Sequence, residues 1–449
     1  MKINAKKWML IIVCLLIGAG VLFCAGAPEK AARQTVFSSG TPDTAPQRHP
    51  PGQLDADLTE NAFVPAAIPT LIPPQKTLGN GEIAYGDGAV RLNKTQEQLL
   101  LDYMNHYFGS LGELTVRNPS ALFSADAEEQ VENDRYLLAV LCGIRSAQQT
   151  DLSLSGYSFT LTVQTVTDRE GDIRVRASED SIQNFTAYPG VDSKSFGVVH
   201  TFLLTDTSAG WRLKEHQQSG SLNRLVRGLG RWQPGAAAPT LPASNTNMAA
   251  QVKTLLKNAR SDTALRQTQG SAEALVFDHG YDRVAAAAYA AQWVDQRNDS
   301  WPSYDRYGGN CQNFTSQALL AGGIPMDSTA PGQWKWYGDT PNGSFVASGR
   351  SPAWSGVGEF LSYVQDNRGY GLVAYADAPY YSGEVGDIIH LGVDGDWRHT
   401  VIIIDVITDT AGNTVDYLVA SNTANLLHFP ASAYYYTQQM LIKIYGWND

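Results

Sequence analysis

Cysteine and positive charge are both scarce in this chain. It has four cysteines in 449 residues, and 33 lysines and arginines stand against 44 acidic residues, for a formal net charge of −11. A chain without a basic face lacks the electrostatic means to bind nucleic acid, and nothing in its charge draws it to anionic membranes. Its histidines also lack the paired spacing of metal ligands, so we expect neither a metal nor a cofactor.

A long apolar run occurs at the N-terminus. Lysines precede the run Trp8–Phe23, and the small residues Ala25-Gly26-Ala27 follow it. This pattern predicts that residues 1–27 are a signal peptide or an uncleaved N-terminal anchor, which would be the only contact with a membrane. We therefore expect an exported protein, either secreted or at the cell surface.

The cysteine positions add to this expectation. Cys14 and Cys24 belong to the predicted signal, so Cys142 and Cys311 are the cysteines of the remaining chain. They fall in different predicted domains and are not expected to form a disulfide. Cys142 lies in an apolar run typical of a helix core. An exported protein that keeps an accessible, unpaired thiol risks oxidation, and catalysis is a good reason to keep one.

Composition divides the rest of the chain into four predicted segments. A linker rich in Pro, Ala, Thr and Ser spans 28–80, a smaller α+β domain spans 81–231, a linker with a connecting helix spans 232–270, and the C-terminal domain spans 271–449. The linker 28–80 cannot bury enough apolar area to fold. We expect the 81–231 domain to fold alone and the chemistry of the C-terminal domain to work without it.

The 81–231 segment contains helical and then strand patterns. Helical periodicity covers Gln96–Leu111 and Ala125–Ile144, and strict alternation over Tyr157–Val163 begins a predicted four-stranded antiparallel sheet. This order resembles the cone-shaped fold of nuclear transport factor relatives. We expect no convergent acid–base set in this segment. Its three histidines are interpreted as core or surface residues; they are His106, His200 and His216.

The C-terminal segment contains the stretch GGNCQNFTSQALLAGG, residues 308–323. Asn310 is a good N-cap residue, and Gly322-Gly323 is typical of a helix end, which places Cys311 at the first helical position. The partial positive charge of a helix N-terminus favours a thiolate there. Cys311 is therefore the candidate nucleophile.

A thiol nucleophile needs a base, and His399 opens a predicted strand in the same segment. The next predicted strand ends just before Asn422. If the turn is centred between Thr410 and Ala411, Asn422 faces His399 and orients its ring; a turn at Gly412-Asn413 would shift the register. Each residue has an ordinary structural explanation alone, but the three together favour catalysis.

These motifs resemble the putative amidase domain family of exported bacterial proteins over about Asp278–Trp447. The resemblance rests on the cysteine motif, GEVGDIIHL, HTVIIID and ASNT. It implies an α+β, papain-like domain, with helices before an antiparallel sheet, as in CHAP and NlpC-type cell-wall amidases. It also implies Cys311 as nucleophile and His399 as base. The third position, often histidine in such families, is Asn422, and Asn310 stands where an acidic residue is usual.

The expected function is an exported cysteine amidase or peptidase that hydrolyses an amide through a thioester. Backbone N–H groups at the start of the Cys311 helix would stabilise the oxyanion, with Tyr304 or Tyr307 as the added donor. Export and family resemblance point to peptidoglycan stem peptides as the substrate. The alternative is a non-catalytic surface module that binds peptides in the same cleft.

Overall fold

The computed structural model describes residues 78–219, 245–268, 270–271, 274–329, 333–336, 338 and 350–449. The predicted signal or anchor segment, nearly all of the first linker and part of the second lie outside these ranges. Residues Pro74–Asp449 form one compact unit. None of the helices in the described ranges is both long enough and apolar enough to cross a membrane.

The N-terminal region, residues 78–219, consists of two helices and five strands. These are β1 (Gly79–Tyr85), α1 (Lys94–Glu113), α2 (Glu128–Ser146), β2 (Leu154–Arg169), β3 (Asp172–Phe185), β4 (Ser193–Thr207) and β5 (Gly210–Gln218). Helix α1 begins where Asn93 and Gln96 form a reciprocal capping box. The predicted helices and the antiparallel meander β2–β5 are confirmed, whereas β1, which runs parallel to β2, was not predicted.

The predicted connecting helix is present as α3 (Asn245–Gln267), and the C-terminal region follows it. Its elements are α4 (Arg283–Trp293), α5 (Cys311–Ala321), α6 (Pro352–Ser355), α7 (Val357–Asp366), β6 (Gly371–Ala378), β7 (Ile388–Val393), β8 (Asp396–Thr408), β9 (Thr414–Ser421), β10 (Asn425–Pro430) and β11 (Gln438–Asn448). Helix α5 begins at Cys311, as predicted.

A single 11-stranded sheet runs through both regions in the order β1-β2-β3-β4-β10-β9-β8-β7-β11-β6, with β5 paired to β4. Strand β4 joins the two parts: Ser193–Thr207 pairs with β3 on one side, and on its other side with β10 near one end and β5 near the other. The chain is therefore α+β with a mostly antiparallel sheet, as expected. The cone-shaped and papain-like plans, and the division into two domains, stay predictions.

The two faces of the C-terminal strands bury different cores. Ile402 and Ala420 pack against Phe314 and Ala318 of α5. Neighbouring residues on the opposite face join a core that extends into the N-terminal region, where Phe429 contacts Phe185 edge to face at 5.6 Å. Strand alternation thus separates a helix-covered face from a face shared with the N-terminal region.

Candidate active site

Cys311 lies at the first position of α5 and is only 7% exposed. The chain enters the helix through Gly308 and Gly309, whose φ angles of 111° and 136° favour glycine. Asn310 occupies the N-cap position of this helix, as predicted, but the expectation that its side chain would hold the first amide groups is wrong, because it makes no capping hydrogen bond. The first N–H groups of the helix are therefore not covered by the Asn310 side chain.

Those N–H groups are directed at the thiol. Burial raises the pKa of Cys311 above its usual value, while the backbone N–H groups of Thr400, Gln312 and Cys311 itself oppose the rise. The N–H groups at the helix start thus lower the pKa of Cys311, as expected, but burial raises it by more. The resting group is therefore a thiol. The second cysteine, Cys142, is also free; burial raises its pKa to about 11, as befits the predicted core residue.

His399 lies in β8, paired with Leu391, and is 3% exposed. Its ring lies 5.8 Å from the ring of Tyr434 and 6.0 Å from that of Tyr436. The backbone N–H of the next residue, Thr400, lowers the pKa of the Cys311 thiol. Along β8 the His399 side chain shares its face with Val401 and Ile403, whereas Ile402 on the opposite face packs against the Cys311 helix. The role of His399 as base stays a prediction.

His390 is the other buried histidine near this point. It pairs with Thr400 and so shares the face of Ile402, which α5 covers, opposite to His399; it lies near Phe360 of α7. Neither of its ring nitrogens has a hydrogen-bond partner within the described residues, and burial lowers its pKa to about 3. A ring with so low a pKa is a poor acceptor for a thiol proton near neutral pH.

Asn422 does not take the register expected from the sequence. The expected alignment of Asn422 with His399 would pair Ile402 with Val419, but Ile402 pairs with Ala420, one residue further on. The Asn422 side chain donates to the carbonyl oxygen of Val294 at 3.0 Å. Its own oxygen accepts from Asn310. Whether it also orients His399 stays a prediction.

Asn310 links the residues on both sides of the nucleophile. Its Nδ2 donates to Asn422 Oδ1 at 2.9 Å, and its Oδ1 accepts from the Tyr304 N–H at 3.0 Å and from Asn313 Nδ2 at 2.9 Å. Asn310 and Asn422 are 2% and 1% exposed. Asn310 and Asn422 both depart from the family pattern, and they are hydrogen-bonded to each other.

The two tyrosines proposed for the oxyanion differ in position. Tyr304 is 2% exposed, and its hydroxyl accepts from Arg350, whose guanidinium lies 4.4 Å from the ring centre. Tyr307 is 45% exposed at the end of a short 3₁₀ turn. Tyr304 is thus fixed beside the Asn310 loop and Tyr307 is not. The oxyanion role of either residue stays a prediction.

A polar cluster beside the nucleophile was missed from the sequence. Thr423 Oγ1 accepts from the Asn310 N–H at 3.0 Å and donates to Asp305 Oδ1 at 2.8 Å. Arg297 holds the same carboxylate through two hydrogen bonds of 2.8 and 2.9 Å. Burial raises the pKa of Asp305, but the Arg297 and Thr423 bonds outweigh it and leave the pKa below its usual value. The only feature of the sequence that pointed to this cluster was that Thr423 directly follows the candidate residue Asn422.

A shallow recess lies next to this cluster. It is open to solvent, and Trp293, Trp301, Asn310, Gln317 and Asn422 contribute to its lining. It therefore places indole rings and side-chain amides within reach of the nucleophile's helix.

The N-terminal region contains a second set of acid–base groups, which corrects the expectation that it has none. Glu179 Oε2 lies 2.9 Å from His200 Nε2, and His200 Nδ1 lies 3.0 Å from His216 Nε2. His216 Nδ1 lies 2.6 Å from the Tyr103 hydroxyl, which donates to Asp134 at 2.8 Å. All five side chains are buried. The interpretation of the two histidines as core residues is correct, but they belong to a continuous polar chain.

The number of hydrogens in this buried series of side chains follows from its hydrogen bonds. Its four contacts need four hydrogens, whereas two neutral imidazoles and one phenol supply three. A chain with all four bonds formed therefore holds one further proton on a histidine or a carboxyl group. Its members form a line, and no group of three or more His, Cys, Asp or Glu side chains in the described ranges is arranged to hold a metal ion.

Comparison with known proteins finds a family match over the part of the chain that contains the site. Residues 280–445 match the family model described as "Putative amidase domain". The Bacillus subtilis (strain 168) protein described as "Uncharacterized protein YhbB" is 31% identical over 126 residues, which are 28% of this chain and 37% of that protein. "Uncharacterized protein YjcM" from the same strain is 28% identical over 160 residues, 34% of this chain and 33% of that protein. The chain thus spans about a third of the length of either relative. No solved structure matches it.

Proposed function

Residues 280–445 belong to the putative amidase domain family, and from this premise we propose that the protein is a cysteine-dependent amidase or peptidase. The observation that supports the proposal best is the setting of Cys311. Its sulfur lies at a helix start that the Asn310 side chain does not cap, and the backbone N–H groups of Gln312 and Thr400 lower the pKa of its thiol. A thiol at that point has anion-stabilising N–H groups, and the proposed base, His399, is the residue before Thr400.

The proposed reaction has two stages. The Cys311 sulfur attacks the amide carbonyl carbon while its proton passes to His399; the C–N bond then breaks and the proton goes to the leaving amine. Water next adds to the thioester carbonyl and gives a proton to His399. The C–S bond then breaks, releasing a carboxylic acid and restoring the thiol. Because burial raises the pKa of the resting thiol, the attack needs a base to take its proton, and His399 is the proposed base.

The proposed substrate is a peptide amide, with peptidoglycan stem peptides as the first class to test. The recess beside Asn310 supports a peptide, since its indole rings and side-chain amides suit an apolar side chain and a peptide backbone. Export to the cell surface belongs to the same proposal, because stem peptides lie outside the membrane. The backbone N–H of Gln312 is the proposed oxyanion donor, with Tyr304 as the nearby phenol.

The test uses the full chain with wall fragments and a peptide library, and it measures newly released amines. Cys311→Ala should abolish release, and His399→Ala should lower kcat/KM by about 10²–10⁴-fold, the usual contribution of a general acid–base group. Cys142→Ser is the matched control, because it removes a free thiol that is buried outside the site. It should leave release unchanged.

A thiol-reactive amide mimic separates this function from the peptide-binding alternative. Labelling of Cys311 that depends on His399 would support the amidase. Tight peptide binding with no released amine, and with no His399-dependent labelling, would refute it and favour a binding module.

A further inference from the structure

The loop that follows β9 is held by the N-terminal region. Asn422 and Thr423 lead into β10, whose residues Asn425 and Leu427 pair with Phe196 and Lys194 of β4. The same strand also pairs with β9. The segment that carries Asn422 is therefore fixed between a strand of its own region and a strand that lies more than two hundred residues earlier in the sequence.

A short series of hydrogen bonds connects β4 to the residue before the nucleophile. Asn425 Nδ2 donates to the Phe196 carbonyl oxygen at 3.5 Å, and Asn425 Oδ1 accepts from Thr423 N–H at 3.3 Å and from Arg297 at 3.1 Å. Thr423 Oγ1 in turn accepts from the Asn310 N–H at 3.0 Å. Displacement of β4 would thus be transmitted through Asn425 and Thr423 to the start of α5.

Apolar packing makes a second, independent connection. The partly buried side chain of Phe196 packs against the cluster that contains Phe314, Ala318 and Ile402. Phe314 is in the first turn of the Cys311 helix, and Ile402 is in β8, two residues after Thr400. Phe196 therefore supports both elements that bring N–H groups to the sulfur.

We infer that the start of β4, residues 193–197, is a positioning element of the Cys311 site, with Phe196 and Asn425 as its positioning residues. The inference concerns the site on which the proposed function rests, and it gives the N-terminal region a role there. It differs from the expectation that this chemistry would work without the 81–231 segment.

The test compares two variants of the full chain that both weaken the N-terminal region. Phe196→Ala removes the packing beneath the site. The control is Val175→Ala. Val175 is fully buried in β3, is paired with Phe202 and lies away from β10. Urea unfolding first establishes how much global stability each variant loses. Hydrogen exchange of residues 308–314 and alkylation of Cys311 by iodoacetamide, both read by peptide mass spectrometry, then report on the site.

Local opening exposes a thiol that is otherwise buried, so Phe196→Ala should raise both rates by about tenfold over the control, after correction for global unfolding. Turnover of an amide substrate should fall in the same variant. Faster alkylation with slower turnover, at a loss of global stability no greater than that of Val175→Ala, identifies a local effect at the site. Asn425→Ala should act in the same direction. Asn425→Asp should have a smaller effect, because its oxygens still accept from Arg297 and Thr423.

If Phe196→Ala and Asn425→Ala both leave exchange and alkylation at the level of Val175→Ala, the inference is overturned. If Phe196→Ala does not fold, Asn425→Ala decides alone. A wild-type chain that hydrolyses no amide would refute the proposed function only, since exchange and alkylation need no substrate.

Discussion

The Asn310–Asn422 pair gives the sharpest test of the site's architecture. Asn310→Asp changes a single NH₂ group to oxygen and keeps the shape of the side chain. In the folded protein that group donates to Asn422 Oδ1 at 2.9 Å, and both side chains are almost completely buried. An ionised carboxylate would instead bring two acceptors together. Asn422 has little freedom to rotate its amide, because its own NH₂ group is bonded to Val294.

The size of the effect follows from these contacts. A buried acceptor left without its donor costs about 1–3 kcal/mol, and a buried charge with no new counterion adds to this, so we expect a loss of about 3 kcal/mol at pH 7. Such a loss corresponds to a rise of about 2 units in the pKa of the new carboxyl group, from about 4 to about 6. The penalty is then complete above pH 6. It shrinks as the pH falls towards 4, because the protonated carboxyl can donate to Asn422.

The assay is urea unfolding of wild type and variant at pH 7.5 and pH 4.5. Asn118→Asp is the control, since it makes the same change of charge at an exposed position and should be nearly neutral at both pH values. Adding Asn422→His to Asn310→Asp should recover part of the loss at pH 7.5, because an imidazole N–H can donate to the carboxylate. An Asn310→Asp protein as stable as wild type at pH 7.5 would refute the reasoning.

Three further predictions concern buried groups. Burial lowers the pKa of His390 to about 3 in the folded state, against about 6.5 in the unfolded chain, so between pH 7.5 and pH 5 only the unfolded chain binds a proton at this histidine. The free energy of unfolding should therefore fall by about 2 kcal/mol over this range. His390→Leu should remove that loss when it is measured by urea unfolding. Tyr103→Phe breaks the buried polar chain and should cost about 1–3 kcal/mol in the same measurement, whereas Tyr157→Phe, whose hydroxyl has one partner, should cost less. Iodoacetamide should modify Cys311 with an apparent pKa above that of a free thiol, because burial raises it; a rate already at its plateau at pH 7 would contradict this.

Local patterns were sufficient to predict most elements of the fold. Alternation predicted the meander that includes β2, and the glycines and helical spacing predicted a helix beginning at Cys311. The hairpin register differs from the expected one because the turn is centred on Ala411, as the pairing of Thr408 with Thr414 shows, and not between Thr410 and Ala411. The two register irregularities, between Ile403 and Asp405 and between Ile407 and Thr408, offset each other. A turn centre displaced by half a residue is enough to move Asn422 by one position relative to His399.

The missed features depend on partners distant in the sequence. Asn310 has the composition of a helix cap, but its side chain finds better-placed partners in Tyr304 and Asn422, and the latter lies 112 residues away. The contact between Tyr103 and His216 spans 113 residues. Helical or strand periodicity describes a residue's face and not the side chain it meets, so neither arrangement was visible in one sequence.

The pairing of β4 with β10 also affects any shorter form of this chain. A chain cut between the two regions would leave the backbone groups of β10 unpaired along one side and uncover Leu426, which is now 9% exposed, and its neighbour Leu427. Exposed strand edges with apolar side chains recruit other strands and promote aggregation. The region related to the amidase family would therefore tend to self-associate when separated from β4, and a second copy could cover the open edge in its place.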